Sequence, residues 1–122
     1  MITITKIFKF EASHSLPLHA GKCKNLHGHS YRLEVTIGSN QLNEKGMVMD
    51  FGILTEIVNL KIINKLDHQH LNQFYECPTA ENMISDFMSE MNKSLPSYVF
   101  LVSLRLWETE TCHADWSRIN KL

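Results

Sequence analysis

The chain has 122 residues, 43% of them hydrophobic, which is one domain by size (residues 1–122) with enough apolar material for a core that needs no staples. Twelve basic residues nearly balance thirteen acidic ones, for a formal net charge of −1. That balance excludes a basic nucleic-acid surface and a charged tail, and no apolar run approaches the length of a membrane span.

The first segment, "MITITKIFKF", reads as a strand rather than a secretory leader. Cys23, Cys77 and Cys112 are an odd number, so the expected setting is a reducing cytoplasm. The first strand is expected over residues 2–12, with Ile2, Ile4, Phe8 and Phe10 on one parity and Thr3, Thr5, Lys9 and Glu11 on the other. A second strand over residues 29–37 alternates Tyr31, Leu33, Val35 and Ile37 with Arg32, Glu34 and Thr36. After the polar turn "GSNQLNEKG", a short third strand is expected at residues 47–49. Asp50 then suits an N-cap, and Leu54, Ile57, Val58, Ile62 and Leu66 follow at helical spacing. The stretch "LDHQHLNQFYECP" reads as a loop. Pro78 and Thr79 open a second helix, striped by Ile84, Phe87, Met88, Met91 and Leu95 and ended by Pro96. A last strand over residues 98–107 puts Phe100, Val102, Leu104 and Leu106 on one side. This order predicts an α+β fold: a small antiparallel sheet with two helices on one face, and sheet edges that need partners.

Seven histidines is the unusual count, and three of them lie close to Cys23. In "CKNLHGHSYRLEVTI", His27 and His29 are two apart, so both imidazoles point the same way in an extended chain. Gly28 between them would let backbone approach a ligand. Pairing the first two strands antiparallel would bring His14 beside them, with all three rings on the helix-covered face. Three neutral imidazoles suit a zinc ion with an open fourth position, able to polarise hydroxyl or carbonyl oxygens. Cys23 is open to two readings, a fourth ligand of a closed structural site or a free thiolate base beside the metal.

Asp67 and His68 are adjacent at the end of a helix, where an acid can orient a histidine and stabilise its charged form. Glu108 shares the parity of Phe100 and Leu106 and is either a strand-end solvent group or a buried acceptor for an amino-substituted ring. His70 receives no role. Lys22 and Lys24 are weak candidates for greeting a phosphate.

Together these residues resemble the 6-pyruvoyltetrahydropterin synthase superfamily, and within it the bacterial 6-carboxytetrahydropterin synthase branch of the queuosine pathway. The resemblance runs through "FEASHSL", "CKNLHGHSY", "MVMDFGIL", "LDHQHLN", "PTAEN" and "LRLWETETC" in order. It implies a tunnelling fold whose trimers close a sheet barrel and stack in pairs as a homohexamer, with active sites at subunit interfaces. It implies zinc on His14, His27 and His29, Cys23 as proton acceptor, and His68 relaying protons with Asp67 from a neighbouring subunit. Glu108 would grip the amino edge of the pterin. The implied substrate is 7,8-dihydroneopterin triphosphate, and the implied products are 6-carboxytetrahydropterin, acetaldehyde and triphosphate. The three-residue gap between Cys23 and His27 favours that branch over the one making 6-pyruvoyltetrahydropterin. A non-catalytic zinc module closed by Cys23 is the reading from another class. Two departures stand out: Thr109-Glu110-Thr111-Cys112 where the family often has Thr-Pro-Thr-Ser, setting an extra acid near the expected pterin pocket, and Ser13 for a frequent alanine.

Overall fold

The computed structural model describes residues 1–118. Alternation of apolar and polar residues makes β1 (Ile2–His14) and β2 (His27–Ser39) one-sided strands. They pair antiparallel without interruption, from Ile2 opposite Ser39 to His14 opposite His27. The two strands thus run two residues further towards the connecting loop than the alternation predicts, because polar histidines continue the inward parity. β4 (Phe100–Thr109) lies on the other side of β2, and β5 (Cys112–Ser117) folds back beside β4 as a hairpin.

Two bulges set the phase of β4. Thr36 pairs with Ser103 and Ile37 with Leu101, which leaves Val102 over. The phase therefore flips there, and Leu101 is fully buried while Phe100 and Val102 are only partly so. The predicted inward line through Phe100 and Val102 is corrected to Leu101, Leu104 and Leu106. A second irregularity falls between Trp107 and Thr109, at Glu108.

The fifth strand makes the sheet mixed rather than purely antiparallel. β3 (Gln69–His70) pairs in parallel with Ala12 and Ser13, giving the order β3-β1-β2-β4-β5. Two residues carry no readable alternation, so this segment looks like loop in the sequence. The expected strand at residues 47–49 does not form. The side-chain carbonyl of Asn43 instead accepts from the N–H of Lys45 and of Met47, and Gly46 takes a φ of 77°, curling the chain into a turn. Val48 and Met49 are buried from that turn rather than from a strand.

Both helical runs cover the same face. Asp50 caps α1 (Phe51–Val58) through its carboxylate and the Gly52 N–H, 2.6 Å apart. A π-helical turn (Asn59–Ile63) and a last short turn, α2 (Asn64–Leu66), continue the run. The extra residue of a π turn shifts the helical phase, and adjacent Ile62 and Ile63 are both buried. α3 (Ala80–Ser94) starts at Thr79, whose hydroxyl accepts from the Asn82 N–H. It packs on β4 and β5, while the first run lies against β1. Leu54, Val58, Ile62 and Leu66 meet Met83, Phe87 and Met91 over Phe10, Leu33, Val35 and Leu104. At about 1.5–3 kcal/mol for each large apolar side chain fully buried, this face carries the stability. Among the described residues no helix is long and apolar enough to cross a membrane.

Candidate metal centre

The unbroken β1–β2 register sets His14, the last residue of β1, directly opposite His27, the first of β2. His29 is one pleat further in, opposite Ala12. The three rings face one another edge-on, with centroids 4.6–5.0 Å apart. One ligand atom from each lies within 4.8 Å of the others, so these residues could hold a metal ion. His14 is fully buried.

The tautomers follow from what the other ring nitrogens touch. His14 Nδ1 is 2.8 Å from the Pro78 carbonyl, and His27 Nδ1 is 2.8 Å from the Asn25 carbonyl. A carbonyl only accepts, so each Nδ1 carries the proton and each Nε2 keeps its lone pair. Those two Nε2 atoms face each other at 3.0 Å. Two lone pairs at that distance repel unless a cation lies between them. His29 Nε2 is buried with no hydrogen-bond partner among the described residues. A buried imidazole nitrogen without a partner, beside two convergent lone pairs, suits a tetrahedral N-ligated metal. Burial is the largest influence on His14 and His29, and it holds both below the ordinary histidine pKa, in the neutral form that ligates. Gly28 is less constrained than its position suggests, since a Cβ there would make only an ordinary 3.6 Å contact with the Ala12 carbonyl.

Glu108 joins this group. It sits at the irregular end of β4, on the inward parity of Leu104 and Leu106. Its carboxylate oxygens lie 3.9 Å from His14 Nε2 and 3.8 Å from His29 Nε2. The Glu108 side chain is 27% exposed, so it stands beside the histidines and still reaches solvent. It lines a depression with His19, Thr79, Glu81 and Cys112. Glu110, the extra acid, lines a separate depression with Lys9, Arg32 and Trp107, so it does not crowd the Glu108 pocket within this chain.

Cys23, Asp67 and His68 stand apart. Cys23 is half-buried on a single turn (Lys22–Lys24) in the loop joining β1 to β2, and among the described residues the metal-competent group comprises the histidines alone. Asp67 and His68 dock on the free edge of β1. The His68 N–H donates to the Glu11 carbonyl, and the Glu11 N–H donates to Asp67 Oδ1. That second bond is the main cause holding the Asp67 carboxyl below its ordinary range. His68 adopts a φ of 61°, uncommon for a residue with a Cβ, and its ring points outward, 77% exposed, with Nδ1 3.0 Å from Asp67 Oδ1. It shares a surface depression with His29 and His70.

A family model described as 6-pyruvoyl tetrahydropterin synthase matches residues 3–118. The chain belongs to that family. Among relatives of this 6-pyruvoyl tetrahydropterin synthase family member, a Synechocystis protein is 41% identical over 100 residues, covering 77% of this chain and 78% of its own. It is named 6-carboxy-5,6,7,8-tetrahydropterin synthase. A Rickettsia conorii protein of the same name is 31% identical, covering 94% of this chain and 99% of its own. The solved Caenorhabditis elegans 6-pyruvoyl tetrahydropterin synthase is 25% identical with a TM-score of 0.80, covering 95% of this chain and 94% of that one. A Wolinella succinogenes protein of 20% identity, TM-score 0.82, covering 97% of this chain and 98% of that one, adds likeness of fold.

Several groups at this family member's site escape sequence reasoning. The carbonyls of Pro78 and Asn25, which fix two tautomers, have no sequence signature, because any residue supplies a carbonyl. Tyr31 reads as core yet brings its hydroxyl within 3.3 Å of His14 Nδ1. Ser13, the departure from alanine, meets His70 Nδ1 at 3.2 Å.

Removing one imidazole leaves two ligands, too few for a stable site. His27→Ala is therefore expected to retain no zinc after gel filtration, by elemental analysis, while keeping its fold by circular dichroism. Full zinc occupancy in that variant would refute the ligand assignment.

Proposed function

We propose that the chain is a zinc-dependent lyase converting 7,8-dihydroneopterin triphosphate and water to 6-carboxy-5,6,7,8-tetrahydropterin, acetaldehyde and triphosphate. The step belongs to queuosine and related 7-deazapurine synthesis in the cytoplasm. Family membership and relatives named for that product support the reading. The observation that carries it is the convergence of two fixed Nε2 lone pairs and the unpartnered His29 Nε2 on one point.

His14, His27 and His29 would hold the zinc. Bound there with an open position, it would supply Lewis-acid polarisation of the substrate's side-chain hydroxyls. Cys23, being outside the histidine group, is free to act as the base that takes a proton from the substrate side chain. Asp67 accepts from His68 Nδ1, which leaves the other ring nitrogen to pass protons. Because His68 faces outward on the sheet edge, its substrate would sit on an adjoining subunit. β1 ahead of Ala12 and the outer side of β5 have no neighbouring strand among the described residues. Joining such edges would close a trimeric barrel, and two trimers would make the hexamer. Glu108, an inward acceptor beside the histidines, would take hydrogen bonds from the amino edge of the pterin.

One second reading has an observation behind it: the C. elegans structure is named for 6-pyruvoyl tetrahydropterin synthesis. Both activities lose triphosphate, and only the first breaks the side-chain carbon–carbon bond. Incubation with dihydroneopterin triphosphate is expected to yield acetaldehyde, read by coupled alcohol dehydrogenase, in step with 6-carboxytetrahydropterin, read by mass spectrometry. Stoichiometric 6-pyruvoyltetrahydropterin without acetaldehyde would assign the chain to the second reading. Cys23→Ala should keep its zinc and lose roughly 10²–10⁴-fold in turnover. Loss of zinc and fold together would instead favour a structural module.

A further inference from the structure

Tyr31 follows His29 by two residues on β2 and so points to the same inner face. It is 1% exposed. Its ring stacks on Phe10, its cross-strand partner, at 4.8 Å and 9°. It also stands edge-on to His14 and to His29, with centroids at 6.2 and 5.6 Å. A phenylalanine would make the same ring contacts. The hydroxyl is what needs explaining, because a buried polar atom is costly unless it finds a partner.

That hydroxyl lies 3.3 Å from His14 Nδ1, the nitrogen whose proton goes to the Pro78 carbonyl at 2.8 Å. The His14 N–H is therefore flanked by two oxygen acceptors from two different parts of the fold. One comes from the segment leading into α3, the other from β2, the strand that carries His27 and His29. The carbonyl keeps the proton on Nδ1, and the hydroxyl, as a second acceptor of the same N–H, stops the ring from turning. Nε2 then keeps its lone pair aimed at His27 Nε2.

We infer that Tyr31 is a positioning residue of the metal centre: its hydroxyl fixes the angle of the His14 ring relative to the two ligands on its own strand. The inference rests on the reading of the three histidines as metal ligands. Partners of this kind are worth about 10–100-fold in metal affinity.

The test is Tyr31→Phe, which removes the hydroxyl and keeps the stack on Phe10. Zinc affinity, measured by competition with a chromophoric chelator, is expected to fall about 10–100-fold. The cobalt-substituted variant should show an altered visible spectrum, and the metal-free variant should melt close to wild type. Nitrogen-15 spectra of the metal-free wild type should show His14 protonated at Nδ1, and the variant should keep that tautomer because the Pro78 carbonyl remains. Unchanged zinc affinity, or His14 protonated at Nε2 in the wild type, would overturn the inference. So would a metal-free variant that fails to fold, since the hydroxyl would then belong to the core. If the wild type binds no zinc, the metal reading fails and the inference is overturned with it, whereas wild-type binding with unchanged affinity in Tyr31→Phe overturns the inference alone.

Discussion

The pairing of β1 with β2 is the constraint on which the rest of the molecule depends. Side chains alternate along a strand with a period of two, so a slip of one residue would turn His14 out to solvent while His27 and His29 stayed in. The register is pinned beneath the histidines, by Phe8 opposite Leu33 and Phe10 opposite Tyr31, both inside the core. The apolar face that stabilises the sheet thus also aims the ligands. Metal binding would inherit its geometry from hydrophobic burial rather than from the loop between the strands.

A preformed site of this kind has an electrostatic cost in the metal-free chain. Two neutral imidazoles present lone pairs to each other at 3.0 Å, and a third buried nitrogen has no partner. Carbonyls behind His14 and His27 hold them in that arrangement. Glu108 adds a carboxylate within 4 Å of two of the rings, which favours positive charge at the same point. The neighbours of the cluster therefore act in one direction, towards a bound cation. Catalytic candidates without a neutral ligand role, Cys23 and the Asp67–His68 pair, are carried on a loop turn and on a sheet edge, where a substrate or another subunit can reach them.

Much of this is legible in the sequence because it depends on period and parity. Phe8, Phe10, Tyr31 and Leu33 declare their face, and the same counting carries on to His14, His27 and His29. The α3 stripe through Ile84, Phe87 and Met91 is equally plain. Where the phase is interrupted, counting fails: the Val102 bulge moves Leu101 inward, and the π turn buries Ile62 and Ile63 together. The parity of Glu108 follows from Leu106 alone, because the bulge at Val102 separates both from Phe100. β5 has no clear pattern in the sequence because His113 and Asp115 mask the weak alternation of Ala114 and Trp116 against the core. β3 is two residues long and is held by the Glu11 backbone and the Asp67 carboxylate rather than by any pattern.

The central claim is an open three-histidine centre with Cys23 left free as a base. X-ray absorption at the zinc edge of the purified full chain tests it directly. The account predicts imidazole nitrogens at about 2.0–2.1 Å, light-atom scattering for the remaining position, and no sulfur. A sulfur shell at about 2.3 Å that disappears in Cys23→Ala would contradict it, because the site would then be closed by the thiolate.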